Sequence, residues 1–218
     1  MSKKIMVLAL AVVSAALFAL PAMASAVELH LDPGTTGETF AVAGPTGGEL
    51  KAEGEPTITC TTTGGSGTYS SGTTGSIVLD FTSCHTAVFG FTASCKSETA
   101  ATAGTIASTG TYHLITVEPG NQPAILVTTE PTVIVCAGIS KVTVTGNVIG
   151  TITSPKCGEA SKTLSVSFSA TGTTQNHLLF TGGKYDLLSK TGTEAEKTAA
   201  LVGSATNTTA NAQTLTCT

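Results

Sequence analysis

Apolar and hydroxyl-bearing residues alternate in several short stretches of the chain. GSIVLDF at 75–81 and KTLSVSFSA at 162–170 have an apolar residue at every second position and mostly Ser, Thr or Asp between. SKVTVTGNVIG at 140–150 starts in the same way, until Gly146 interrupts it. A period of two is typical of a strand with one buried face. The pattern therefore predicts strands here, with a bulge or bend at Gly146.

Two other stretches are continuously apolar. PAILV at 123–127 and TVIVC at 132–136 predict central strands that are covered on both faces. Gly-rich turn signals separate the strand signals at intervals of roughly eight to twelve residues. We therefore predict an all-β fold: a single β-sandwich or barrel-like domain of many short antiparallel strands, stapled by disulfides, with at most one short helix.

That helix is predicted in TEAEKTAALV at 193–202. Thr193 and Glu196 have the spacing of a capping box and precede an alanine-rich run. An irregular loop is the alternative for this stretch.

A short motif occurs twice, as EPTITC at 55–60 and as EPTVIVC at 130–136. A proline tolerates the first position of a strand, so each motif predicts a strand that starts at its proline and ends in a cysteine. The repeat favours one domain over 27–218 that contains two similar β units, about 50–129 and 130–218. A duplication and a shared packing requirement both explain it.

The N-terminus has the layout of a secretory signal peptide. Two lysines precede an apolar run from Ile5 to Leu20, and small residues follow in A-x-A spacing up to Ala26. The alternative, a membrane anchor, needs a longer apolar run. We therefore predict a signal peptide at 1–26, and a mature protein that is secreted or held at the cell surface and is not an integral membrane protein.

Charge narrows the range of partners. Without the predicted signal peptide, eight lysines, no arginine and fourteen carboxylates remain, which gives a net charge near −6. The lysines are scattered, whereas nucleic-acid binding needs clustered cations. The composition therefore excludes nucleic acid as a partner, and it identifies no other one.

Few residues offer catalytic chemistry. The four histidines are unaccompanied by a G-x-S-x-G motif. His113 is predicted on a strand face and His85 in a hairpin loop. Asp80 and Asp186 are the strand-like aspartates, but the sequence does not show whether they share a cleft. We predict no catalytic, cofactor-binding or metal-binding residue; in particular, LDPGTTGE at 31–38 lacks the EF-hand spacing and reads as a turn.

The order and spacing of residues from about Ile58 to Leu188 resemble a group of exported actinobacterial proteins of unknown function. The resemblance rests on ITCTTTGGSGTYSSGTTGSIVLDFTSC, VIVCAGISKVTVTGNVIGTITSP and FTGGKYDL. It implies export and a β-rich fold, and it assigns no catalytic residue. In that group four cysteines are usual, and the remaining two here, Cys157 and Cys217, are often absent, which implies that these two pair with each other.

The six cysteines predict three disulfides, because metal ligation favours closer Cys and His spacing than this chain has. Cys84 and Cys95 flank a short hairpin signal and are predicted to bridge it. Cys60 and Cys136 occupy equivalent positions in the two EPT motifs and are predicted to pair, which also leaves Cys157 for Cys217. The main rival pairs Cys136 with Cys157 and Cys60 with Cys217.

These observations favour a non-enzymatic secreted β module with a surface, matrix or binding role. The first alternative is a secreted hydrolase with a site built from loops. The second is an oligomer that assembles through strand edges or associates with membranes.

Overall fold

The computed structural model describes residues 28–34, 36–44, 46–117, 120–137, 141–177 and 186–218. The predicted signal peptide, 1–26, lies outside these residues. The described part is all-β and contains no helix. Its strands are β1 (Leu29–Asp32), β2 (Thr39–Gly44), β3 (Gly48–Ala52), β4 (Ile58–Thr59), β5 (Thr62–Tyr69), β6 (Thr74–Thr82), β7 (His85–Val88), β8 (Phe91–Ser97), β9 (Ile106–Val117), β10 (Gln122–Cys136), β11 (Val142–Ser154), β12 (Ala160–Phe168), β13 (Ala170–Thr171), β14 (Thr174–Gln175), β15 (Leu187–Thr191) and β16 (Lys197–Cys217).

Antiparallel pairing closes the strands into two rings of eight. In the first closed sheet the order is β2, β5, β6, β9, β10, β11, β12 and β16, and β16 pairs back to β2. In the second closed sheet the order is β3, β4, β7, β8, β10, β11, β15 and β16, and β16 pairs back to β3. The three longest strands, β10, β11 and β16, therefore belong to both closed sheets.

Each shared strand passes from one closed sheet to the other at a local irregularity. In β10 the register shifts between Thr129 and Thr132, opposite Gly146 of β11. Gly146 has φ 102°, and a Cβ there would collide with the carbonyl oxygen of Asp186. In β16 the switch lies at Gly203, where a Cβ would be 2.8 Å from the carbonyl oxygen of Gly47. The predicted bend at Gly146 is thus confirmed, and it marks the change of sheet.

Each closed sheet surrounds its own hydrophobic core. The core of the first includes Phe40, Tyr69, Tyr112, Ile125 and Val166. The core of the second contains the cysteines at 60, 84, 95 and 136 together with aliphatic side chains from β10, β11, β15 and β16. The alternation predicted for 75–81 and 162–170 is confirmed, because β6 and β12 direct alternate apolar residues inward.

Both continuous apolar runs lie on one strand, β10, instead of on two. Ala124–Val127 are buried on both faces, as predicted, because Ala124 and Leu126 pack with Val117 and Ile149 outside the first core. The prediction is wrong for TVIVC at 132–136, where only Ile134 and Cys136 are buried.

The stretch predicted as a short helix is a turn followed by the start of β16. Ala199 and Ala200 are buried and pair with Ala52 and Lys51 of β3. Because this strand segment completes the second closed sheet, its pairing outweighs the helix propensity of the alanines and the capping-box spacing.

The two EPT motifs have different places in the fold. A strand does follow Pro56, but β4 is shorter than predicted and contains neither Pro56 nor Cys60. Pro131 lies inside β10, at the register shift, and is exposed, so it does not begin a strand. Proline is tolerated at a bulge as well as at a strand start. β10 is also continuous across 129–130, where the boundary between two similar units was placed.

The disulfides are Cys60–Cys84, Cys95–Cys136 and Cys157–Cys217. The third pair is the one predicted, whereas the predicted Cys84–Cys95 and Cys60–Cys136 pairs and the rival pairing are wrong.

Cys84 and Cys95 do face each other in the β7–β8 hairpin, but they share a backbone hydrogen bond of 2.9 Å. In an antiparallel pair of strands, side chains of two residues that are joined by backbone hydrogen bonds lie farther apart than side chains of a pair that is not hydrogen-bonded. Each cysteine bonds instead to its other neighbour, at a Cα–Cα distance of 4.0 Å. Three disulfides are typical of an oxidising compartment.

Candidate functional site

The histidines lie on separate elements. His30 is on β1, His85 on β7 and His113 on β9, and His177 follows β14. His113 is exposed on the strand face, as predicted, between Thr74 and Leu126 of the adjacent strands. His85 was expected in a loop but begins β7, where its Nδ1 lies 3.1 Å from the carbonyl oxygen of Ser83.

The carboxylates that the sequence singled out also lie apart. Asp80 is exposed on β6, and Asp186 lies directly before β15. Glu38 accepts hydrogen bonds from the amide groups of Asn211 (3.3 Å) and Gln213 (3.1 Å), so it braces the end of β16. Among the residues that the structure describes, no three His, Cys, Asp or Glu side chains are grouped so that they could bind a metal ion.

The described residues enclose an apolar cavity of about 90 Å³ at the junction of the two cores. Leu79, Val127, Val148 and Phe168 line it from the first closed sheet. Phe81, Ile106 and Ser108 line it from the ends of β6 and β9 that lie nearest the second core. The other lining residues lie on or beside the strands of the second closed sheet: Gly48, Leu50, Ile58, Cys60, Thr129, Thr132, Ile134, Val144, Leu187 and Leu201. A smaller cavity of about 30 Å³ adjoins it and shares Leu79, Phe81, Val127, Phe168 and Leu201.

The separation of the sheets accounts for the cavity. Where β10, β11 and β16 change partners, the strands beside them separate, and the buried side chains form two clusters that Leu201 contacts from between them. Leu79, Phe81, Phe168 and Leu201 are only partly buried although they pack against the cores. Unfilled space among large apolar side chains has this effect, because each loses contacts on one side.

Hydroxyl groups form one edge of the cavity. β9 pairs with β10 only as far as Gly110 and Thr129, and β10 reaches β8 at Ile134. Ser108 and Thr132 face each other across the gap, with 3.3 Å between their hydroxyl oxygens. Both side chains are half-buried, so the hydroxyls lie between the apolar space and the surface.

The second closed sheet braces this region covalently. Cys60, which lines the cavity, is bonded to Cys84, directly before β7. Cys95 lies directly opposite Cys84 in the hairpin and is bonded to Cys136 on β10. The four buried cysteines thus form one row, from the end of β4 past the start of β7 to β8 and β10, which holds the wall beside the cavity.

The first core raises the pKa of two buried tyrosines. Burial, and secondarily the charge of Glu38, raises the pKa of Tyr69 to about 12. Burial raises the pKa of Tyr112 further, and its hydroxyl has no hydrogen-bond partner among the described residues. Because both groups stay neutral at ordinary pH, the interior presents an uncharged, apolar environment.

The cavity could not be predicted from the sequence. Its lining residues are the inward positions of the predicted strands, and nothing in their local pattern distinguishes them from ordinary core residues. The sequence contains one sign of the point where β11 changes its strand partner, and that sign is Gly146.

No protein family matches the sequence, and neither the curated proteins nor the solved structures include a significantly similar one. Over the described ranges, the chain has no helix with the length and apolar character needed to cross a bilayer.

Proposed function

We propose that this protein is an exported, non-enzymatic β module that binds one small apolar group in the cavity at the junction of its two cores. The cavity is the observation that carries the proposal. Export is supported by the N-terminal sequence pattern and by the three disulfides.

The size of the cavity limits the ligand. Drug-sized ligands occupy pockets of roughly 300–1,000 Å³. A volume of about 90 Å³, with about 30 Å³ adjoining, suits a single hydrocarbon chain end or a small ring. Apolar cavities of about 150 Å³ in other proteins bind benzene or xenon.

The chemistry of the lining defines the ligand class. Nearly all the lining atoms are apolar, so binding would come from burial of apolar surface. The hydroxyls of Ser108 and Thr132 could hydrogen-bond one polar end of the ligand, such as an alcohol. A small alcohol with an apolar body fits both features.

The two alternatives require features that the described residues do not supply. A hydrolase would need a histidine, a hydroxyl nucleophile and a carboxylate within hydrogen-bond reach; the one hydrogen bond recorded for a histidine ring in the described residues joins His85 to a backbone carbonyl. Assembly through strand edges would need long free edges, and the strands with one partner are the short β1, β13 and β14, since each strand of the two closed sheets has a neighbour on both sides.

The proposal predicts saturable binding of small apolar molecules. Benzene or 1-butanol, added to the purified mature protein, should shift the methyl NMR signals of Val127, Val144 and Leu187. Dissociation constants in the micromolar to millimolar range are expected, because five or six heavy atoms gain at most about 1.5 kcal/mol each, a ceiling of about 7.5–9 kcal/mol, and an imperfect fit leaves less.

Two variants test the location of the site. Val127→Phe fills the cavity and should abolish the shifts, whereas Val78→Phe, on the exposed face of β6, should preserve them. Leu201→Ala enlarges the cavity and should strengthen benzene binding. Absence of saturable shifts in the unmodified protein, or unchanged binding by a folded Val127→Phe variant, would refute the proposal.

A further inference from the structure

The exposed large apolar side chains of the described residues are concentrated on one turn. Phe89 and Phe91 are 96% and 78% exposed, at the tip of the β7–β8 hairpin. The other large exposed apolar residue in the described part is Val78, which is 41% exposed on β6. Single exposed apolar residues need no explanation, but two adjacent phenylalanines on a protruding tip indicate an interaction site.

The turn itself does not require phenylalanine. Val88 pairs with Phe91, which leaves a two-residue turn of Phe89 (φ 49°) and Gly90 (φ 81°). Such a turn needs positive φ at both positions and is best formed by Asn-Gly. A bulky residue with positive φ is uncommon and costly. Phe89 is thus unfavourable for the backbone and for hydration, and folding does not explain its presence.

The small apolar area of the tip identifies the kind of partner. Two phenylalanine rings offer about 300–500 Å² in total. A stable protein interface buries more than about 1,000 Å², whereas an aromatic side chain can enter the interfacial region of a bilayer without a matching surface. The tip also keeps its backbone paired, through Val88 and Phe91, as insertion into the lipid interface requires.

Charge distinguishes among lipid surfaces. The hairpin from His85 to Ser94 contains no Lys, Arg, Asp or Glu, and the whole chain has a net charge of −4. Attraction to anionic headgroups relies on clustered Lys and Arg, which this hairpin lacks. A zwitterionic surface therefore suits it best.

We propose that the Phe89–Gly90–Phe91 tip inserts reversibly into zwitterionic lipid surfaces and so holds the protein at a membrane without spanning it. The interaction needs neither the cavity nor its ligand. The binding to the membrane is weak. Two aromatic side chains bury about as much apolar surface as a single lipid anchor, and one such anchor binds a membrane only reversibly.

Flotation with phosphatidylcholine vesicles tests the proposal on the mature protein. The unmodified protein should float with the vesicles, equally well at low and high salt. The double variant F89N and F91T should lose at least about tenfold in vesicle partitioning, the equivalent of about 1.4 kcal/mol. The matched control Val78→Thr also removes an exposed apolar side chain and should partition within about twofold of the unmodified protein.

The double variant separates lipid binding from a structural role. Asn-Gly suits this turn better than Phe-Gly, so the variant should be at least as resistant to denaturant as the unmodified protein. In addition, Phe91→Trp places one tryptophan in a chain that has none, and its emission should shift to the blue when vesicles are added.

Three results would overturn the proposal. The first is no flotation of the unmodified protein, and the second is equal flotation of the F89N and F91T variant. The third is dimerisation that depends on the tip while the protein stays off the vesicles, because the occupant would then be a second copy of the chain.

Discussion

Aromatic side chains in the first core lie over glycines of the adjacent, hydrogen-bonded strands. Phe40 is opposite Gly67, and Tyr112 is opposite Gly75, where a Cβ would be 2.6 Å from the tyrosine hydroxyl. Phe40 also contacts the Tyr112 ring edge-on, with 5.8 Å between centroids. Glycine weakens a strand by itself, and a covering aromatic ring compensates for this loss.

Gly67 and Gly64 lie on the same strand and should respond oppositely to alanine. A Cβ on Gly67 would overlap the Phe40 ring, so Gly67→Ala should lower the free energy of unfolding by about 1–3 kcal/mol. On Gly64 a Cβ has no neighbour closer than 3.9 Å, so Gly64→Ala should leave stability unchanged or raise it by up to about 1 kcal/mol. Urea denaturation measures both, and equal effects would contradict the role given to Phe40.

The two buried tyrosines predict a loss of stability in alkali. The pKa of Tyr69 is raised to about 12 and that of Tyr112 is also raised, so both lose protons more readily in the unfolded chain. Their contribution is complete below pH 10 and is lost as the pH rises through the folded-state pKa. The free energy of unfolding should therefore decline from about pH 10 to 12. The free energy of unfolding of the Tyr112→Phe variant should decline less steeply over this pH range. A pH profile identical to that of the unmodified protein would contradict the prediction.

At the scale of elements, one side chain takes the place of a strand. Between β15 and β12, the backbone of β11 has no neighbouring strand at Asn147 and Ile149. The buried Gln175 accepts a hydrogen bond from the Ile149 N–H and donates one to the Asn147 carbonyl, each 2.8 Å long. The carboxamide thus satisfies backbone groups that burial would otherwise leave unpaired.

Gln175→Ala should therefore cost about 2–4 kcal/mol of stability, since it leaves the buried Ile149 N–H and the part-buried Asn147 carbonyl unpaired. Gln122→Ala, at the exposed start of β10, is the matched control and should change stability by less than about 0.5 kcal/mol. Urea denaturation gives both values, and hydrogen exchange at the Ile149 amide should accelerate in the Gln175 variant alone. Similar unfolding energies for the two variants would show that the carboxamide is dispensable.

The elements also show why sequence prediction succeeded for some segments and failed for others. β6 and β12 were predictable because each has one buried face, which imposes a period of two. The start of β16 was not, because its alanines favour a helix and only its pairing with β3 makes it a strand. β10 was divided in two because Pro131, at its bulge, has the same local signature as a strand start.

At the scale of the molecule, the all-β class could be predicted from the sequence, but the closure of the sheets could not. Which strands pair depends on registers between distant segments, such as Thr206 with Ala43. The disulfides illustrate the same limit. The sequence places Cys84 and Cys95 in one hairpin. Their disulfide partners, however, are Cys60 and Cys136, which are brought beside the hairpin by the pairing of β4 and β10. The cavity results from the closure of the two sheets, so it could not be predicted from the sequence either.

The sharing of β10, β11 and β16 also makes the chain indivisible. A cut where these strands change partners, near Thr129, Gly146 or Gly203, would open both closed sheets at once, so neither half could retain a complete set of backbone partners. Loss of order in either core would expose strands on which the other depends, and a partly folded molecule with one intact half should be scarcely populated. The protein should therefore behave as a single cooperative unit, in which binding at the junction stabilises both cores together.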